Sequence, residues 1–151
     1  MFKKEKIALI YFSRTAKCEA EHKSWTRFSS KSHREITSNF LFSRSLKVIE
    51  SFGFDIIHFD EENQKGETFG ERIANAFEAT FALGYRSAIS IGNDCINLEK
   101  VDFTALEELL NENCAAIGPT FRKGAYLIGM SRMHFHKEKF AQLRWQSKDT
   151  E

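Results

Sequence analysis

With 151 residues, 42% apolar side chains, 15 Phe and one Pro, the chain can fill one packed core without disulfides or metal, which excludes disordered and fibrous classes. Its net charge of +1 hides a division: residues 1–49 carry +7, residues 50–112 carry −10 and residues 113–151 carry +4. Three cysteines (Cys18, Cys95 and Cys114) share no metal-ligand spacing, and neither a signal peptide nor a membrane-spanning run is seen, so one cytoplasmic domain over 1–151 with reduced thiols is expected.

Ile7–Phe12 is an unbroken apolar run, the pattern of a central strand buried on both faces. Residues 13–35 show little periodicity and read as a long basic loop, with a helical turn near Glu19–Trp25. Its Arg14, Lys17, Lys23, Arg27, Lys31 and Arg34 suit a phosphate, although no Walker pattern is present. Thr37 or Ser38 can cap a helix running to about Phe52, with Leu41, Phe42, Leu46, Ile49 and Phe52 on one face and Gly53 as its stop.

Phe54–Phe59 reads as a second strand, followed by an acidic turn at 60–63. A second helix covers Thr68–Leu83, where Phe69, Ile73, Phe77 and Phe81 recur every fourth residue up to Gly84. Ala88–Ile91 is a third strand that stops at Gly92. Asp102 caps a short helix with Leu106, Leu109 and Leu110 inward. Cys114–Gly118 and Gly124–Met130 read as further strands, and the tail from His136 to Trp145 is amphipathic through Phe140 and Leu143. Strands alternating with helices predict an α/β fold with a mainly parallel sheet.

The third strand delivers Asn93 and Asp94 at its carboxyl end, which is where open α/β sheets collect ligands. Asp94 is therefore the leading candidate site residue, against the plainer reading that it only opens a turn. With Asn93 beside it, Asp94 can hold a magnesium or manganese ion, since one carboxylate plus phosphate oxygens can suffice. His134 and His136 lack a third metal ligand, and Cys18, Glu19 and His22 lie close without defining a nucleophile and its base. Nucleic-acid binding would draw on the basic loop with Trp25 and Phe28, and the acidic middle of the chain argues against it.

Two segments carry a resemblance. One runs from Gly70-Glu71-Arg72 through Gly84-Tyr85-Arg86 to Ile91-Gly92-Asn93-Asp94-Cys95. The other is Ile117-Gly118-Pro119, followed by Lys123-Gly124-Ala125-Tyr126-Leu127-Ile128-Gly129. In order and spacing, over about residues 66–130, they resemble a bacterial family of glycosyltransferase-like proteins in the nucleotide-diphospho-sugar transferase (GT-A) superfamily. The resemblance implies a three-layer α/β/α fold and transfer of a sugar or nucleotidyl group from a nucleotide-activated donor. It makes Asp94 the catalytic and metal-bearing residue and places Lys23, Arg72, Asn93, Arg122 and Gly124 around the donor.

The departures are specific. Lys23-Ser24-Trp25 only echoes the family's nucleotide loop, Ile96 replaces a Pro, and Arg122 stands where a second Asp is expected. The chain stops soon after Trp145, short of the family's acceptor-side segment, which implies a C-terminally truncated version. Two readings follow, beside that of an unrelated α/β domain, which the two matching segments argue against. One is a small metal-dependent transferase. The other is a degenerate, inactive member that binds a nucleotide or sugar, or acts by pairing with a partner chain such as a second copy of itself. A nucleotide or nucleotide sugar is the expected partner in both, with no nucleic acid and no membrane span.

Overall fold

The computed structural model describes residues 6–24, 27–121 and 124–145. Five strands, β1 (Ile7–Phe12), β2 (Asp55–Phe59), β3 (Ser87–Ile91), β4 (Ala116–Pro119) and β5 (Ala125–Ser131), make one sheet in the order β2-β1-β3-β5-β4. Helices α1 (Ala16–His22), α2 (Lys31–Glu50), α3 (Phe69–Ala82), α4 (Phe103–Asn111) and α5 (Lys137–Ala141) connect and follow them. β1 pairs in parallel with β2 and β3, whereas β5 is antiparallel to both β3 and β4. The sheet is therefore mixed around a parallel centre, not mainly parallel throughout. Connection length is the reason. A crossover between parallel strands takes about a dozen residues or more, and only residues 120–124 lie between β4 and β5, so a hairpin is the one connection that fits.

Side chains alternate across the sheet and feed two cores. Ile7, Leu9 and Tyr11 of β1 pack with Ile89 and Ile91 of β3, Ile49 of α2, and Phe103, Leu106 and Leu110 of α4. Ile10 points the other way, toward Ala88, Ile128, the α3 residues Ile73, Phe77 and Phe81, and Phe140 of α5. The inward face of α4 thus runs through Phe103, Leu106 and Leu110, and Leu109 falls one position off that line and is exposed.

Residues 13–35 are not one long loop. Thr15 accepts a hydrogen bond from the Cys18 amide and caps α1; Ser30 accepts from the His33 amide and starts α2 well before Thr37. The first half of α2 leaves most of its side chains exposed, Ile36 included, so it has no apolar period to betray it. α3 shows the opposite case. Thr68 accepts from the Glu71 amide while the Glu71 carboxylate accepts from the Glu67 and Thr68 amides at 2.7 and 3.2 Å. Those bonds from the Glu67 and Thr68 amides hold the Glu71 carboxyl below the usual range. Past the ends of α2 and α3, Gly53 (φ 72°) and Gly84 (φ 96°) take the left-handed conformation that a stop needs. Among the described residues no helix is long and apolar enough to cross a membrane.

Candidate functional site

β1 and β3 end side by side, with Tyr11 opposite Ile91. The residues that follow them, Ser13 and Arg14 on one side and Gly92, Asn93 and Asp94 on the other, open into one cleft of about 670 Å³. That volume suits a small organic ligand. Glu19 and Lys23 reach the same cleft from α1 and the residue after it, and Arg72 from the first turn of α3. The far end is apolar. Ile117 of β4, Tyr126, Ile128 and Met130 of β5, and Phe140, Leu143 and Trp145 line it, with Arg144 among them.

Lys23, Arg72, Asn93, Asp94 and Gly124, drawn from well-separated segments, all line this one space. Arg122 and Trp25 lie outside the described residues. The basic stretch divides: Arg14 and Lys23 face the cleft, whereas Lys17, Lys31 and Arg34 border a separate hollow of about 210 Å³ between α1 and α2. The pairing of Glu19 with Lys23, and the contribution of the apolar end, are what sequence reasoning overlooks. The i,i+4 spacing of Glu19 and Lys23 is the signal that a helix there would have exposed.

The electrostatics are built from that pair. Lys23 Nζ lies 2.9 Å from Glu19 Oε2, and the Glu19 side chain is only 6% exposed, so the ammonium is anchored from below. The same Nζ is 3.8 Å from Asp94 Oδ2, and the Asp94 side chain is 63% exposed at the mouth. An exposed pair at that distance contributes only about 0–1 kcal/mol. Its meaning is positional. Gly92 lets the carboxylate fold back toward the strand end, since a Cβ there would lie 3.3 Å from Asp94 Oδ1.

Arg72 Nη1 donates to the Glu67 carbonyl at 3.2 Å, which ties the guanidinium to the loop bordering the cleft. Asn93 is 5% exposed, and its side-chain amide nitrogen meets no acceptor among the described residues. A buried donor left unpaired in a cleft wall is a standing cost that a ligand oxygen can remove. Burial pushes the thiols of Cys18 and Cys95 up, so neither supplies a thiolate next to His22 or Asp94. His134, His136 and Phe28 are exposed on the surface.

Among the described residues no three His, Cys, Asp or Glu side chains converge. A cation at Asp94 would find one carboxylate, with the Lys23 ammonium already beside it. That donor set does not fit a divalent metal held by the protein alone.

The glycine of Gly70-Glu71-Arg72 has a packing role. A Cβ on Gly70 would collide with the Ala141 carbonyl oxygen of α5 and lie 2.7 Å from Cδ1 of Trp145. Gly70→Ala is therefore expected to push α5 from α3 and destabilise the fold by about 1–3 kcal/mol. Urea unfolding measures this; an unchanged midpoint would show that the two helices do not meet there.

Over residues 56–147 the chain matches the model of a family described as "Uncharacterized protein conserved in bacteria (DUF2064)". Among solved structures, it superposes on a "putative nucleotide-diphospho-sugar transferase" from Desulfovibrio desulfuricans G20 with a TM-score of 0.61. That alignment covers 95% of this chain and 71% of the other at 19% identity, a likeness of fold. No curated protein matches the chain.

Proposed function

We propose that this chain, which belongs to the bacterial family matched over residues 56–147, is a glycosyltransferase-like protein of the GT-A kind. In this reading it is a three-layer α/β/α domain whose cleft binds a nucleotide-activated sugar. One observation carries it: Arg14, Lys23, Arg72, Asn93 and Asp94 converge at the carboxyl ends of β1 and β3. The guanidinium and ammonium groups meet the donor's phosphates. Asp94, exposed at the mouth, takes the proton of an acceptor hydroxyl as that oxygen bonds to the donor's anomeric carbon and the nucleoside diphosphate leaves. The apolar end of the cleft holds the acceptor.

A second reading rests on the Lys23–Asp94 contact, which occupies the site's exposed carboxylate. On that reading the chain binds the donor without turning it over. Both readings expect a panel of uridine-, guanosine-, thymidine- and adenosine-diphosphate sugars to contain a binder. At a hundredfold excess over Kd, binding adds about 2.7 kcal/mol, a rise in Tm of about 5–10 °C for a chain of this size. Release of nucleoside diphosphate on adding acceptor alcohols, lost in Asp94→Asn while the thermal shift persists, supports the transferase. A shift without release supports the binding module. If no member of the panel moves the melting temperature, both readings fall.

A further inference from the structure

We infer that the cleft holds the diphosphate of its ligand by the chain's own cations, with no divalent metal. The inference deepens the nucleotide-sugar reading and rests on it for the nature of the ligand. Its warrant is a set of cations: among the described residues, Arg14, Lys23 and Arg72 line the cleft together around the strand ends. A diphosphate diester carries one negative charge per phosphate. Three cations can meet both of those charges directly, without a bridging ion.

Geometry points the same way. A metal that neutralises a pyrophosphate stands between it and a protein carboxylate. In this cleft that place, next to Asp94 Oδ2, belongs to Lys23 Nζ at 3.8 Å. The ammonium is not a stray surface group. Glu19, buried on α1, grips it at 2.9 Å and fixes it at the cleft wall. A cation placed against Asp94 Oδ2 would meet the Lys23 ammonium there, and moving Lys23 aside would take it from the buried Glu19 carboxylate. Asn93 adds a buried side-chain donor that has no acceptor among the described residues, an arrangement suited to a ligand oxygen.

The test is calorimetry on the full chain with UDP-glucose, GDP-mannose and inorganic pyrophosphate, each titrated in excess EDTA and in excess manganese chloride. For the two nucleotide sugars the expected result is the same affinity in the two buffers to within about threefold. Lys23→Met is expected to weaken binding by about tenfold or more, the loss typical of a charge-assisted hydrogen bond, and Lys23→Arg to restore most of it. Because Lys23→Met strands Glu19, the double variant Glu19→Gln/Lys23→Met serves as the folded control. If neither folds, the comparison of buffers on the wild type decides alone. A nucleotide sugar that binds only with manganese overturns this inference and leaves the nucleotide-sugar reading standing. Pyrophosphate bound in EDTA with no nucleotide sugar bound does the reverse. No binding of any probe in either buffer sinks both.

Discussion

Replacing Phe77 by alanine is expected to cost about 3–5 kcal/mol, the usual loss for a buried Phe that leaves a cavity. Phe77 is fully buried on α3. Its ring sits 6.0 Å from that of Phe81, 5.9 Å from Phe135 and 5.2 Å from Phe140, centroid to centroid. It therefore joins α3 to α5 and to the segment before α5. A helix as short as α5, Lys137–Ala141, does not stand by itself in water. Its place is fixed by Phe140 against Phe77, and the apolar wall of the cleft hangs on that contact. Against a total stability of about 5–15 kcal/mol for a domain, the loss is a large fraction. Urea denaturation of wild type and Phe77→Ala measures it, with the fully exposed Phe121→Ala as the control expected to stay within about 0.5 kcal/mol. A loss below about 1 kcal/mol at Phe77 would mean that α5 is held some other way.

The same row of phenylalanines explains what the amino-acid sequence discloses. α3 repeats an apolar residue at every fourth position, begins at a Thr68–Glu71 box and stops at Gly84, so period, cap and stop agree. β1 and β3 are buried on both faces, and their apolar runs say so. α1 and the start of α2 carry no such period, because α1 packs on α2 rather than on the sheet, and only their caps at Thr15 and Ser30 mark them. The reversal of β5 is implicit in the shortness of 120–124 and is missed when strands and helices are simply alternated.

The candidate site is legible in part, and for different reasons at its two ends. Asp94 and Asn93 stand out because a strand stops at Gly92 just before them. Lys23 takes its meaning from a buried Glu19, and burial of a charged residue leaves no trace in a single sequence. The apolar end is built from residues that, read locally, belong to any strand or amphipathic tail. Glycines that mark the resemblance prove to serve packing. The Tyr126 ring lies over Gly118, 2.5 Å from where a Cβ would stand, just as α5 closes on Gly70. A shared pattern of such glycines reports a shared fold more directly than a shared reaction.

Arg72→Glu is expected to weaken binding of the cleft's ligand by about 100- to 1000-fold, since it removes a charge-assisted contact and puts a repulsive charge in its place. Arg72 begins as an anomaly. A cation in the first turn of a helix opposes the helix dipole, and the neighbouring Glu71 already serves the capping box. Packing gives no reason for it either, because its hydrogen bond among the described residues, to the Glu67 carbonyl, is an exposed one. What remains is its position, in the wall of the cleft with Arg14 and Lys23. If Arg72 only steadied the loop, its loss would lower stability and leave affinity alone. The cleft role predicts the reverse: unfolding midpoints within about 0.5 kcal/mol of wild type, and a collapse of affinity. Arg72→Gln separates the two further, since its amide can still donate to Glu67 while the charge is gone; the expected loss is about tenfold. Salt gives a final check. Wild-type affinity should fall as ionic strength rises, and the fall should be shallower in Arg72→Gln. Equal slopes with equal affinities would return Arg72 to the loop and take it out of the site.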